Sequence, residues 1–391
     1  MKIIYDLEQK EWLTTSSIDS VTFGKRKQPI KNIGFSPSKS ITFHIEGKKD
    51  ITLIGILTGR KKDNKVTGNG RLFKELQKEI MKSGGLSVVF TPQNIKDDVI
   101  EGFLYQPERD KWYPVICPLP HVIYNRVPFR RLEKSKAFKD VHQFFKNNDI
   151  PFFNTCFLDK YELYQILSRD PYFQELIPET MLINGKASFQ EFLYKHRKLY
   201  LKPALGSKGK GIYCVHLNLD QTISMNGLEN SSVHESFHHF WMKWSQILLK
   251  KSYIAQKEIK PILYKGKRFD FRILVHYCKN RYTITGIGIR QSEEQDITTH
   301  IPNGGKMIPY EHLQTTEHDQ FITNLAKKAG KLLSKQLGFF GEFSIDAGLT
   351  ETGKYVIYEI NSKPMQFDEQ EIEKKRFPAL ANLFMELAGY N

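Results

Sequence analysis

A chain of 391 residues is too long for one simple core, so two or three packed domains are expected. Its 40% hydrophobic and 26% charged residues exclude a disordered polymer, and its net charge of +15 favours anionic partners: nucleotides, acidic proteins or polyanionic polymers. The basic residues are spread along the chain without a separate arm, so specific nucleic-acid binding is not expected.

No run approaches the ~20 apolar residues of a membrane span. The charged start MKIIYDLEQKEW lacks the apolar stretch of a signal peptide. Cys117, Cys156, Cys214 and Cys278 are widely separated, a spacing that fits neither a zinc site nor a disulfide framework. A cytoplasmic protein follows, or one deposited from the cytosol of its own cell.

In chain order, residues 1–47 read as a small β-rich module of short strands and turns. The apolar runs 51–58 and 86–90 predict buried strands around a helix at 71–83, which carries Leu72, Phe73, Leu76, Ile80 and Met81 at helical spacing. Further strands are expected at 99–105, 122–124 and 150–154, with a basic helix over 131–147. Strand, helix and strand in this order predict an open α/β sheet for residues 48–154.

From residue 155 the pattern changes. Helices are expected at 160–168, 189–196, 234–250, 323–337 and 379–387. Strands are expected at 179–182, 199–203, 211–215, 253–259, 268–276, 282–290, 342–348 and 355–360, and residues 218–232 read as a polar loop. The fold class is α/β (α+β).

Three segments carry chemistry. In the first, an apolar strand ends in Lys202 and enters a loop holding Gly206, Ser207, Lys208, Gly209, Lys210 and Gly211 before a second strand. Glycines let backbone amides turn toward an anion, and lysines supply point charges to phosphate oxygens. The lysine-then-Ser/Thr ending of a Walker A loop is absent. A flexible basic hairpin tip is the alternative.

In the second, Asp346 and the pair Glu359/Asn361 fall on neighbouring strands, and period-2 alternation puts Glu359 and Asn361 on one face. Two carboxylates and an amide oxygen form a hard oxygen set suited to Mg²⁺. A merely solvated hairpin face is the alternative.

In the third, the edge at Gln256, Lys257, Glu258 and Ile259 can offer backbone groups to an adenine. Arg268, Asp270 and Arg272 share one strand face, where a structural Asp–Arg network reads equally well. Arg290, ending a strand ahead of the HIPNGG segment, can stabilise negative charge on a transferred group or can be a surface arginine.

Taken together and in this order, these segments resemble the ATP-grasp superfamily. VIYNRVP, LDKYELYQIL, LKPALGSKGKGIY, FGEFSIDAGLTETGKY and EINSKP are similar more closely to the YheC/YheD family of endospore coat-associated proteins. The resemblance implies an ATP-grasp domain at 155–391, divided at 258/259, behind a pre-ATP-grasp-like domain. It implies ATP and Mg²⁺ as cofactors: Lys160 and Lys202 on phosphates, Gly206 to Gly211 as a lid, Gln256 and Lys257 to Ile259 on adenine, with Asp270 and Arg272 nearby. It places the metal on Asp346, Glu359 and Asn361, and Arg290 against the γ-phosphate and acceptor. The implied activity is an ATP-dependent carboxylate–amine (or thiol) ligase with an unidentified acceptor, associated with the spore coat. The competing reading is a coat structural protein that keeps the nucleotide fold without catalysis.

Overall fold

The computed structural model describes residues 1–18, 20–47, 49–61, 63, 65–206, 210–228, 230–292 and 304–389. The first 45 residues build a four-stranded sheet in the order Lys31–Asn32, Trp12–Thr14, Lys2–Asp6, Ser40–His44. Thr22–Phe23 leaves it to pair in parallel with Asp50–Leu57 of the next sheet. Ile3, Tyr5 and Phe43 accordingly share one buried cluster with Ile51, Leu53 and Leu86.

The second sheet has Gly85–Phe90, Asp50–Leu57, Val122–Asn125 and Phe152–Phe153 in parallel at its centre. All eight positions of Asp50–Leu57 are shielded or half-shielded, as expected for a strand covered on both faces. One face carries the helix Gly70–Lys82, whose Leu72, Phe73, Leu76 and Ile80 pack with Leu380, Leu383 and Phe384 of the last helix, Gln370–Leu387. The last helix thereby ties the carboxy-terminal part of the chain to the second sheet.

Two antiparallel six-stranded sheets complete the molecule. The first runs Thr180–Leu182, Tyr253–Lys257, Lys198–Pro203, Tyr213–Leu217, Ile223–Gly227, Ser231–His234 and is backed by Phe237–Lys250 through Phe237, Phe240 and Leu248. The second runs Gly305–Ile308, Arg281–Ser292, Lys267–Cys278, Glu342–Leu349, Tyr355–Asn361, with Leu263–Tyr264 paired to Lys267–Cys278. The helix Thr316–Leu337 covers its back, and Gly330 lets the helix lie against the Tyr282 ring, where any side chain would overlap.

Several expectations are corrected. The helix at 131–147 is two helices, Arg130–Glu133 and Lys136–Asn147. Ser135 interrupts it by donating its hydroxyl to the Leu132 carbonyl (2.6 Å) while accepting from the Phe138 amide (3.3 Å). The loop expected at 218–232 is the hairpin Ile223–Gly227/Ser231–His234. Only Ile223 and Met225 of its first strand face the core, so the alternation is short and the composition polar. A strand not anticipated, Lys111–Pro118, pairs along the whole of Val99–Gln106. The last helix starts at Gln370 rather than 379. Pro378 lies inside it, and a proline that lacks an amide proton reads as a helix boundary.

Candidate functional site

The second six-stranded sheet carries a lattice of charge on one face. Phe269, Phe271 and Ile273 of Lys267–Cys278 point into the core, so the alternating Arg268, Asp270 and Arg272 point the other way. Register sets their partners: Asp270 lies opposite Arg290, Arg272 opposite Asp346, Asp346 opposite Glu359, and Ser344 opposite Asn361. The register shifts immediately after Asp346, where Ala347 pairs with Ile357. Arg290 reaches Asp270 at 3.1 Å and Asp346 at 3.2 Å, and Arg272 lies 3.6 Å from Asp346.

These charges do not titrate alike. Burial opposes the Arg290 cation, but Asp270 and Asp346 together hold it firmly protonated. Asp346 shares that arginine with Asp270 and feels Glu359 as well. Its burial, only partly offset by Arg290 and Arg272, raises the carboxyl above its ordinary range. Its Oδ1 makes no hydrogen bond.

The facing wall comes from the first six-stranded sheet and the helix Lys160–Ser168. Asp159 caps that helix, accepting from the amides of Tyr161 (2.8 Å) and Glu162 (3.1 Å), which places Lys160 in its first turn. Lys160 pairs with Glu359 and lies 3.4 Å from the Gly206 carbonyl. Lys202 donates to Gln256 (2.7 Å), which in turn donates to Thr180 (3.0 Å). Burial, with Lys160 beside it, lowers the Lys202 amine to about 8. Burial would raise Glu359, but Lys160, Lys202 and Arg130 hold it below its ordinary value.

Between these walls lies a cavity of about 710 Å³, within the range of small-molecule sites. Lys160, Lys202, Gly206, Lys210, Gln256, Lys257, Ile259, Asp270, Arg272, Arg290, Asp346, Glu359 and Asn361 all line it. Glu258 does not: it turns to Lys198 at 2.7 Å. Gly211, also outside the lining, takes φ +72° with Tyr253 close above it, a position that excludes a side chain. Ser207, Lys208, Gly209 and residues 300–303 lie outside the described residues.

The donor set fits Mg²⁺. Among the described residues no group of three His, Cys, Asp or Glu side chains is placed to hold a metal. Mg²⁺ instead uses one or two carboxylates and fills its shell with waters and phosphates. Asp346 and Glu359, opposite one another with Asn361 two residues on, offer such a set, with Asp346 Oδ1 already facing Arg290 at 3.2 Å and Arg272 at 3.6 Å.

Sequence reasoning missed part of the lining. Arg126 and Arg130, Thr67 to Asn69, and Lys363 to Gln366 also border the cavity. The signal was present, since Arg126 lies in VIYNRVP and Lys363 in EINSKP. Arg126 donates to the Pro364 carbonyl (3.0 Å), joining these two motifs.

The comparisons agree with this geometry. A family model described as YheC/D-like ATP-grasp matches residues 149–390. The chain belongs to the YheC/D-like ATP-grasp family. Two relatives of this family, both from Bacillus subtilis (strain 168), are the endospore coat-associated proteins YheD and YheC. YheD is 30% identical over 300 residues, covering 72% of this chain, and the chain spans 65% of YheD's own length. YheC is 22% identical over 304 residues, covering 74% of this chain and 84% of YheC. Among solved structures, the VanG D-Ala:D-Ser ligase of Enterococcus faecalis superposes with a TM-score of 0.53 at 11% identity. It covers 86% of this chain and 99% of the ligase, a likeness of fold. The chain carries the ATP-grasp fold, with its two six-stranded sheets about one cavity. Among the described residues no helix is long and apolar enough to cross a membrane.

Proposed function

We propose that this cavity binds Mg-ATP and that the protein is an ATP-dependent ligase that activates a carboxylate as an acyl phosphate. The observation that carries the reading is the convergence of Lys160, Lys202 and Lys210 with Asp346, Glu359 and Asn361 on one cavity. The two sets are far apart in sequence and have complementary roles toward a triphosphate.

In this reading Lys160, Lys202 and Lys210 hold phosphate oxygens, and the backbone at Lys257 to Ile259 receives the adenine. Asp346, Glu359 and Asn361 hold Mg²⁺, which when bound neutralises phosphate charge. A carboxylate oxygen of the acceptor attacks the γ-phosphorus, the bond from γ-phosphorus to the bridging oxygen breaks, and ADP leaves. An amine or thiol then attacks the acyl carbon, loses its proton to solvent, and releases inorganic phosphate. Arg290, fixed by Asp270, supplies positive charge beside the oxygens that become negative in both steps. The spore-coat association of the B. subtilis relatives supports a role in the spore for this chain too.

The test is ADP release by the full chain with Mg-ATP and pooled amino acids, peptides or polyglutamate. Acceptor-dependent ADP release supports a ligase. Mg-ATP binding with no release across all pools favours a scaffold that keeps its nucleotide.

A further inference from the structure

The strands Glu342–Leu349 and Tyr355–Asn361 carry Asp346, Glu359 and Asn361, and their pairing ends at Ser344 opposite Asn361. Beyond that rung the ladder stops, and the buried backbone groups that follow need other partners. Asn154 supplies them. Its Oδ1 accepts from the amides of Gly341 (3.0 Å) and Glu342 (3.2 Å). Its Nδ2 donates to the carbonyls of Glu342 (2.8 Å) and Ser362 (2.7 Å). Two donated and two accepted bonds exhaust what an asparagine amide can make. The side chain thus stands as one further rung, joining the residue after Asn361 to the strand that leads to Asp346.

Asn154 is itself fixed. It is 0% exposed, its backbone amide donates to the Phe339 carbonyl (2.9 Å), and its carbonyl accepts from Asn125 Nδ2 (3.0 Å). Its φ of +56° is a left-handed conformation that asparagine tolerates better than most residues. Aspartate would bring no donor to the two carbonyls, and glutamine would carry its amide one carbon too far. Asn125 ends the strand Val122–Asn125 and Asn154 follows Phe152–Phe153, so this amide is mounted on the parallel sheet of the amino-terminal half.

Asn154 lies outside the cavity lining, so it acts there only through the residues it holds. Mg²⁺ demands oxygen ligands in near-ideal octahedral geometry, and ligands keep such geometry when groups behind them are hydrogen-bonded in place. We propose that Asn154 is a positioning residue for the Mg²⁺ ligands. It fixes Asn361 through the Ser362 carbonyl and holds the Glu342 end of the Asp346 strand in register with it. The proposal rests on the Mg-ATP reading above. A tie that served stability alone would not single out the metal-dependent part of nucleotide affinity. A neighbouring tie provides the comparison: Thr155 Oγ1 donates to the Leu337 carbonyl (2.6 Å) and touches neither metal-bearing strand.

The test uses the full chain and a non-hydrolysable ATP analogue, titrated calorimetrically with Mg²⁺ and again in EDTA, with bound Mn²⁺ followed by electron paramagnetic resonance. Asn154→Asp keeps the shape but sets an oxygen against the Glu342 and Ser362 carbonyls. Asn154→Gly removes the side chain and suits the left-handed backbone, so it keeps the test usable if Asn154→Asp fails to fold. Each is expected to lower analogue affinity in Mg²⁺, and Mn²⁺ binding with it, about tenfold or more, while affinity in EDTA changes less than about threefold. Thr155→Val should leave both affinities within about threefold of the unaltered chain. A Mg²⁺-dependent gain preserved in a folded Asn154 variant, an equal fall with and without the metal, or the same effect from Thr155→Val would each overturn the proposal alone. No Mg²⁺-dependent gain in the unaltered chain would overturn the metal reading, and this proposal with it.

Discussion

Lys160 and Glu359, 199 residues apart in the chain, form an ion pair between the first turn of a helix and a strand of the facing sheet. Lys160 helps hold the buried Glu359 carboxyl below its ordinary value, and in the proposed reading each has a separate role once a triphosphate enters: Lys160 toward phosphate, Glu359 toward the metal. Glu359→Gln should leave the lysines without their carboxylate and weaken Mg-ATP binding at least tenfold, about 1.4 kcal/mol. Binding of ATP without Mg²⁺ should fall far less, which equilibrium dialysis with and without the metal would measure.

Lys202 gives a pH signature. Its amine lies near 8 in the free protein, below an ordinary lysine, because burial and Lys160 oppose its charge. Phosphate oxygens would favour the ammonium, so Mg-ATP binding should take up a proton above about pH 8 and weaken as pH rises beyond it. Calorimetry in buffers of different ionisation enthalpy reads this uptake directly. Lys202→Met should abolish the uptake and lower the affinity.

Asp346 tests the metal assignment by stability. Its raised pKa means that the buried carboxylate is harder to charge in the fold than in the unfolded chain. Asp346→Asn should leave thermal stability without Mg²⁺ unchanged, or raise it by up to about 1 kcal/mol. The same substitution should remove the rise in melting temperature that Mg-ATP produces by mass action. A Mg-ATP shift that persists in the variant would count against Asp346 as a ligand.

The carboxylate beneath the site should behave in the opposite sense. Glu342 is fully buried, held by Arg376 at 2.6 Å and Tyr124 at 2.6 Å, with His276 at 3.3 Å and Arg126 at 3.5 Å. Burial alone would raise its pKa, but Arg376 foremost among these partners drives it well below the ordinary value. Its stabilisation is present above the unfolded-state pKa and is lost as pH falls through the lower folded one. Arg376→Met should leave that charge short of its main partner and cost about 3–5 kcal/mol in urea unfolding. The loss should shrink in acid.

Much of this site was legible because strand alternation is a local rule. Glu359 and Asn361 on one face, and Arg268, Asp270 and Arg272 on another, follow from period-2 spacing and were found in the cavity wall. Arg126, Arg130 and Gly68 were not, because alternation within a strand cannot say which distant loop will lie against it. They enter the wall through the Arg126–Pro364 hydrogen bond and the packing of the last helix on Gly70–Lys82. Lys111–Pro118 escaped for a different reason: Pro114 interrupts its apolar residues, and a proline within a run argues against a strand. Glu258 was misplaced because the strand it follows ends at Lys257, and beyond that point alternation no longer fixes direction.

The most direct test of the account is a calorimetric titration of the full chain with Mg²⁺ and a non-hydrolysable ATP analogue, alongside Lys202→Met and Glu359→Gln. One saturable site per chain, weakened at least tenfold by either substitution while the unliganded variants unfold cooperatively, is the predicted result. Absence of binding by the unaltered chain, or equal affinity in all three proteins, would contradict it.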